Sequence, residues 1–298
     1  MGNLKKYIFG RSKTSSFFLD QFQNKALVFS LRKLSTYDNN YCVRIRRSFD
    51  NLEENFGFVN GVLDTTNMLN FVGSGDAFVR VWFDQSGFNR HAIQTDTTKQ
   101  PKIVESGSLI LEGGKPTIKF TSATNLRFLP SQSQQTAQPL SNFGFSTYQV
   151  LRFANFGYQG TTGFGSKLQN PFNGGSAAYM SVRGETNRFG YVANQDIRVG
   201  RVYAPAEGTG LNFKLFSFHI DETYDLASVN NLAYVNNSPK ILTSSDNGYG
   251  SVYTNVLNQS YNGVGSNVNI SETILFDGIF KQNNAAISTN INLFYNLY

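Results

Sequence analysis

One cysteine, Cys42, stands in a chain of 298 residues. Neither an intrachain disulfide nor a cysteine-based zinc cluster can form, and the fold has to hold by packing alone. Histidine is almost as scarce. His91 and His219 are the only two and lie far apart in sequence; a strand histidine such as His219 is more often a packed side chain than a ligand, and no metal is expected. Charged residues make up 15% of the chain, too few for long exposed helices laced with ion pairs. No stretch approaches the roughly 18 consecutive apolar residues that cross a bilayer, and Met1 to Phe9 has no apolar core of the kind a secretory signal needs. Membrane insertion and export by the usual route are therefore not expected. The opening Met1-Gly2-Asn3 carries Lys6 where a myristoylation signal has Ser or Thr. There is no nucleophile elbow, phosphate-cradling glycine loop or dinucleotide fingerprint, so no cofactor is expected.

What is present favours strands and turns: abundant Phe, Tyr, Asn, Ser, Thr and Gly. In Phe78-Val79-Arg80-Val81-Trp82-Phe83 both faces are apolar apart from Arg80, which predicts a strand central in its sheet. Gly113-Gly114-Lys115-Pro116 reads as a turn, followed by a half-buried strand with Ile118 and Phe120 on one face. Phe216, Phe218 and Ile220 share a face of another strand. Leu232-Ala233-Tyr234-Val235 runs into Asn236-Asn237-Ser238-Pro239, a hairpin turn that predicts a further strand. Val268 to Phe280 reads as a strand with Glu272, Ile274 and Phe276 on one face, and Ile287, Ile291 and Phe294 predict a short closing helix from Asn283 to about Tyr295. The formal charge of +6 draws the chain toward anionic surfaces. Its basic residues form no stripe interleaved with aromatics, so nucleic acid is not an expected partner.

Residues 1–24 differ from the rest. Lys5, Lys6, Arg11 and Lys13 are followed by Ser-rich sequence and then by Phe17, Phe18, Leu19 and Phe22. Exposed rings are costly in water unless they pack on something, so this segment is expected to be an arm that docks on a partner through Phe17, Phe18, Phe22, Lys5 and Lys6. Residues 25–298 form the expected single domain, with Ser131 to Ser141 as a long surface loop.

Asp84-Gln85-Ser86-Gly87 follows directly on the central strand. Together with Leu27-Val28-Phe29-Ser30-Leu31-Arg32 and Val43-Arg44-Ile45-Arg46-Arg47-Ser48, it resembles the opening of the β-sandwich catalytic domain of fungal and bacterial α-L-arabinofuranosidase B. The likeness is clearest from Ala26 to Phe120 and thins to Phe189-Gly190-Tyr191, Tyr261-Asn262-Gly263-Val264-Gly265 and Phe276-Asp277-Gly278. The chain's end is similar to laminin-G-like and concanavalin A-like domains. The resemblance implies an all-β fold: a two-sheet antiparallel jelly-roll (concanavalin A-like) sandwich with a short C-terminal helix. Asp84, Gln85, Ser86 and Gly87 are read as turn chemistry, with the Asp and Ser side chains bonding nearby amides and Gly87 taking an unusual backbone angle. Arg44 and Arg46 are expected to neutralise Asp84 or Asp50.

The departures from that family bear on activity. Its nucleophilic Glu corresponds here to the neighbourhood of Tyr179, Met180 and Ser181, and its acid/base Asp to Ser266 or Asn267. Its adjacent cysteine pair is impossible with Cys42 alone. Glycoside hydrolysis ordinarily needs two carboxyl groups, about 5 Å apart for retention. Of the substitutes, Glu185 reads as a solvated loop carboxylate and Glu272 as a partly buried one paired to an Arg. No catalytic residue is assigned. Non-catalytic relatives of this kind occur in phage virion proteins, so the resemblance implies a virion structural protein, a fibre, spike or capsid- or tail-attached appendage assembled in the host bacterial cytoplasm. Its expected partners are other virion proteins through the arm, further copies of itself in a homo-oligomer, and host-surface glycan bound through Tyr249, Tyr253, Tyr261, Asn247 and Asn262. The alternatives are a hydrolase with relocated carboxylates and a bacterial carbohydrate-binding module.

Overall fold

A strand that alternates polar and apolar residues buries one face, whereas one that is apolar throughout must be covered on both. The computed structural model of the protein describes residues 17–37, 40–121, 123–127, 145–153, 212–220, 232–240, 267–278 and 280–298. It also describes the backbones of the strands Gln159–Ser166, Ser176–Arg183, Arg188–Gln195, Val199–Pro205, Thr243–Ser245 and Val256–Leu257. The fold is an antiparallel β-sandwich closed by a short C-terminal helix.

One layer runs, neighbour to neighbour, through Ser238–Lys240, Leu232–Val235, Lys214–Ile220, Phe145–Phe153, Val268–Asp277 and Lys25–Ser30, so the first and penultimate segments of the domain lie side by side. The facing layer contains Glu53–Phe56, Val43–Arg47, Ala77–Trp82 and, beside the last, Ala92–Ile93 and Lys102–Glu105. Ile118–Phe120 pairs with both Lys102–Glu105 and Val268–Asp277 and joins the layers. Ala77–Trp82 is paired along both edges and is central in its layer, with Ala77, Val79, Val81 and Trp82 buried and Phe78 and Arg80 partly buried. Its Arg80 pairs with Glu53 at 2.9 Å, and the outer face of Phe78 is covered by the Arg46 guanidinium 4.7 Å from the ring centroid.

Between the layers lies a core of Leu27, Phe29, Val43, Ile45, Val79, Trp82, Phe120, Phe153, Phe218 and Leu275. A second cluster covers the other face of the first layer: Val28, Tyr148, Val150, Leu215, Ile274 and Phe276 pack against Leu19, Phe22, Ile287, Ile291 and Tyr295. The Val268–Asp277 strand is therefore buried along nearly its whole length. A register shift opposite Val150 and Leu151 leaves Ser271 as an extra residue. Val268 and Ile270 consequently face the inner core while Glu272, Ile274 and Phe276 turn toward the helix.

The turns follow from local chemistry. Asn236 and Asn237 take φ of 50° and 60° between Leu232–Val235 and Ser238–Lys240, and Gly113 and Gly114 take 55° and 76° between Leu111–Glu112 and Lys115–Pro116. The closing helix is Asn284–Tyr295. Its third inward contact is Tyr295 rather than the expected Phe294, whose partly buried ring is capped by Lys115 and Arg32. A further helix, Thr65–Val72, starts on Asp64, whose carboxylate accepts from Asn67 N.

Two expectations need correction. Phe22 is only 7% exposed and packs edge-on to Phe276 with centroids 6.0 Å apart, and Phe18 packs on Phe22. Lys25 Nζ donates to the carbonyls of Leu19 and Phe22 at 3.1 and 2.7 Å, and Asp20 accepts from Phe17 N, Thr36 N and Ser35 Oγ. This turn belongs to the sandwich, because its rings complete the cluster beneath the helix. Of the docking rings, Phe22 is used internally, while Lys5 and Lys6 lie outside the described residues. Arg44 and Arg46 do not reach Asp84 either: Arg44 donates to Asn55, and Arg46 to Gln100 and Asn51. Asp50 is paired instead with Arg47.

Candidate functional site

A carboxylate is useful to catalysis only if some of its lone pairs remain for substrate. Asp84 is 1% exposed. One of its oxygens accepts from Val28 N at 2.9 Å and Ser86 N at 3.0 Å; the other accepts from the Ser86 hydroxyl and from Arg90 N at 3.1 Å. Four donors occupy it, so it is a staple that ties the Lys25–Ser30 strand to the turn following Trp82. Gln85, fully buried, ties a second segment: its Oε1 accepts from Leu34 N, and its Nε2 donates to the carbonyls of Ser30 and Arg32. Ser86 Oγ accepts from Phe88 N, and Gly87 takes φ +97°, where a side chain would be strained.

Glu272 is wholly buried. Arg32 meets it side-on through Nε at 2.8 Å and Nη2 at 3.0 Å, with the Ser30 hydroxyl at 2.7 Å and the Tyr295 hydroxyl at 3.3 Å. Arg32 also donates to Asn290 Oδ1 and lies 5.0 Å from the Phe294 ring centroid. Burial alone would lower the Arg32 pKa, but Glu272 outweighs it and the net shift is upward. The sequence reading expects an Arg partner for this residue; the structure supplies one from the other end of the domain and closes the site to solvent.

His219 lies in a similar interior cluster. Its Nδ1 is 2.9 Å from Ser146 Oγ and its Nε2 is 3.1 Å from Asn284 Oδ1. An amide oxygen only accepts, so this geometry places the ring proton on Nε2 and lets Ser146 donate to Nδ1. Serine, imidazole and orienting amide thus stand in the order of a nucleophilic triad. The group nevertheless cannot meet substrate: Ser146 and His219 are fully buried, and Ser146 Oγ also accepts from Phe280 N. Burial drives the His219 pKa down to about 4 against the opposing bond to Asn284. Among the described residues no group of three His, Cys, Asp or Glu is placed to hold a metal ion.

Aromatic rings near the Asp84 turn are exposed to solvent. Tyr37, Tyr41 and Phe88 are 62%, 42% and 59% exposed. Tyr37 packs over Gly87, Tyr41 lies on Phe83 with centroids 5.7 Å apart, and Phe83 lies on His91 at 4.9 Å. His91 Nδ1 accepts from Asp84 N, and burial lowers its pKa against the pull of Asp84. The sequence carries no signal for these rings, because loop residues have no periodicity from which exposure can be read. Tyr249, Tyr253, Tyr261, Asn247 and Asn262 lie outside the described residues, as do Glu185, Ser266 and the Ser131–Ser141 stretch. Tyr179, Met180 and Ser181 fall on the Ser176–Arg183 strand, and Asn267 immediately precedes Val268–Asp277.

No family model and no curated protein matches the chain. Solved structures do. A GH54 α-L-arabinofuranosidase soaked with a cyclic sulfate inhibitor superimposes with a TM-score of 0.56 at 14% identity, over 90% of this chain and 62% of that one. An arabinofuranosidase complexed with arabinofuranosyl-α-1,2-xylobiose matches with the same values. The likeness establishes a shared fold, and this chain spans 62% of the length of those enzymes.

Proposed function

We propose that this chain is a non-catalytic, glycan-binding sandwich of a phage virion, carried in several copies on a fibre, spike or capsid- or tail-attached appendage and assembled in the bacterial cytoplasm. The observation that carries the non-catalytic part is the state of Asp84 and Glu272. Each is buried, and each is occupied by donors from its own fold, so neither has room to attack or protonate a sugar. Tyr179, Met180 and Ser181, where the arabinofuranosidase resemblance would put a nucleophile, add no carboxylate. Sugar binding is supported by the fold shared with proteins that act on arabinofuranosides and by the exposed rings of Tyr37, Tyr41 and Phe88. A sandwich without its carboxylates retains loops and faces for recognition.

Attachment to the particle is assigned to residues 1–16, with Lys5, Lys6, Arg11 and Lys13, since Phe22 is committed to the sandwich. Deleting residues 1–16 is expected to abolish incorporation into purified particles while leaving the melting temperature unchanged. Undiminished incorporation overturns the docking role. Hydrolysis of aryl α-L-arabinofuranosides by the purified protein, above a no-enzyme control, would overturn the non-catalytic reading in favour of a hydrolase with relocated carboxylates.

A further inference from the structure

We propose that the outer edge of Lys25–Ser30 is a strand-pairing surface for the same strand of a second copy, and that Asp84, Gln85 and Arg90 form the guard that keeps it closed. This holds whatever the sandwich binds. Lys25–Ser30 is the last strand of its layer: among the described residues it pairs with Val268–Asp277 alone. A strand in that position turns the N–H and C=O of every second residue outward, and such an unpaired row is a template for another chain. Ala26-Leu27-Val28-Phe29-Ser30-Leu31 contains no charge, proline or glycine, and the strand is buried along its whole length. A short apolar segment of this kind pairs with copies of itself when its edge is open. Charges on the flanks ordinarily oppose that. Here Lys25 is committed to the Leu19 and Phe22 carbonyls and Arg32 to Glu272, so the protection falls to the turn.

The guarded groups recur at every second residue. Val28 N donates to Asp84 Oδ1 at 2.9 Å, and Val28 O accepts from Gln85 N at 2.8 Å. These are the two bonds that one residue of an antiparallel neighbour would make, with a carboxylate oxygen standing where the neighbour's carbonyl would be. Two residues to either side, Ala26 O accepts from Arg90 Nη1 at 3.0 Å and Ser30 O from Gln85 Nε2 at 3.2 Å. Arg32 O, two further on, accepts from the same side-chain amide at 3.0 Å. Asp84 and Gln85 therefore act as a surrogate strand of two residues, and Arg90 extends it by one carbonyl. A second copy gains this edge only by displacing them, since each outward group accepts or donates one main ladder bond.

The test is sedimentation velocity of the full-length protein over a range of concentrations, below every melting midpoint, for wild type, Asp84→Ala, Arg90→Met and Ile291→Ala. Ile291 is buried beneath the helix and makes none of the guard's bonds, so its variant is destabilised by a cavity with the edge still closed. Both guard variants are expected to self-associate at about tenfold lower concentration than wild type, the effect of freeing roughly one edge hydrogen bond, while Ile291→Ala sediments as wild type does. Amide exchange read by NMR identifies the surface. In Asp84→Ala the Val28 amide should exchange faster than in wild type when dilute, and slow again as the protein associates. Equal association of all three variants reduces the effect to general instability and overturns the guard. Association in which the Val28 amide stays fast places the contact elsewhere and overturns the pairing surface. Guard variants that sediment as wild type does overturn both. Should Asp84→Ala not fold, Arg90→Met, which frees Ala26 O, decides by the same comparison with Ile291→Ala, with loss and return of protection read along residues 26–30.

Discussion

Replacing Glu272 by Gln preserves shape and removes one charge from a site closed to bulk solvent. Arg32, 7% exposed, would keep Asn290 and the flanking rings of Phe294 and Tyr295 but lose its counter-ion. The Gln amide would also present a donor toward Arg32 Nε, Arg32 Nη2 or the Ser30 hydroxyl, all of which now donate. Breaking a buried pair from one side costs about 3–5 kcal/mol. At roughly 2–4 °C per kcal/mol for a large domain, the midpoint should fall by about 10 °C. Urea unfolding at pH 7 of wild type, Glu272→Gln, Glu272→Leu, Arg32→Met and the double variant Arg32→Met/Glu272→Leu contains a closed cycle in the last three with wild type. The double variant should lie closer to wild type than either single one, because replacing both partners by apolar groups leaves no stranded charge. A Glu272→Gln protein within about 1 kcal/mol of wild type would refute the reasoning. If it also lost glycosidase turnover at unchanged stability, Glu272 would be a catalytic group and the pair a misreading.

His219 predicts a pH dependence. The unfolded imidazole binds a proton near its ordinary 6.5, whereas the folded one stays neutral down to about 4. Over that window the unfolded state holds the extra proton, and stability falls as the pH drops, by about 3 kcal/mol in all. Urea midpoints at pH 7, 5 and 4 should converge between wild type and His219→Gln; parallel curves would count against it. Phe22→Ala should cost about 3 kcal/mol in thermal or urea unfolding by opening the cluster beneath the helix, and a neutral result would return Phe22 to the arm. Gly87→Ala combines φ +97° with a Cβ 3.3 Å from Tyr37 Cβ and should cost about 1–3 kcal/mol; an unchanged melting temperature would show that the turn can relax.

Local chemistry alone made several elements legible. A run apolar on both faces marked Phe78 to Phe83 as a central strand, Asn236-Asn237 marked a hairpin, and Ile287 with Ile291 marked a helix, because each signal depends on neighbours within a few residues. The sequence also showed that Glu272 needed an arginine, since a strand carboxylate among apolar residues must be paired. Which arginine was not legible. Arg32 is 240 positions away, and only the antiparallel pairing of Lys25–Ser30 with Val268–Asp277 sets Ser30 opposite Glu272. The extra residue at Ser271 then turns that carboxylate from the inner core toward the helix. In the same way the proximity of Arg44 and Arg46 to Asp84 in sequence does not make a pair, because the Asp84 oxygens are filled by backbone and hydroxyl donors from Val28, Ser86 and Arg90. The fate of the aromatic residues divides along the same line. Phe22 went inward because a helix from the far end of the chain roofs the cluster it completes, while among the described residues Tyr37, Tyr41 and Phe88 keep much of their surface exposed. A sequence states which residues must be covered or paired; the partner is chosen by strand order and register, which bring together residues that the chain itself keeps hundreds of positions apart.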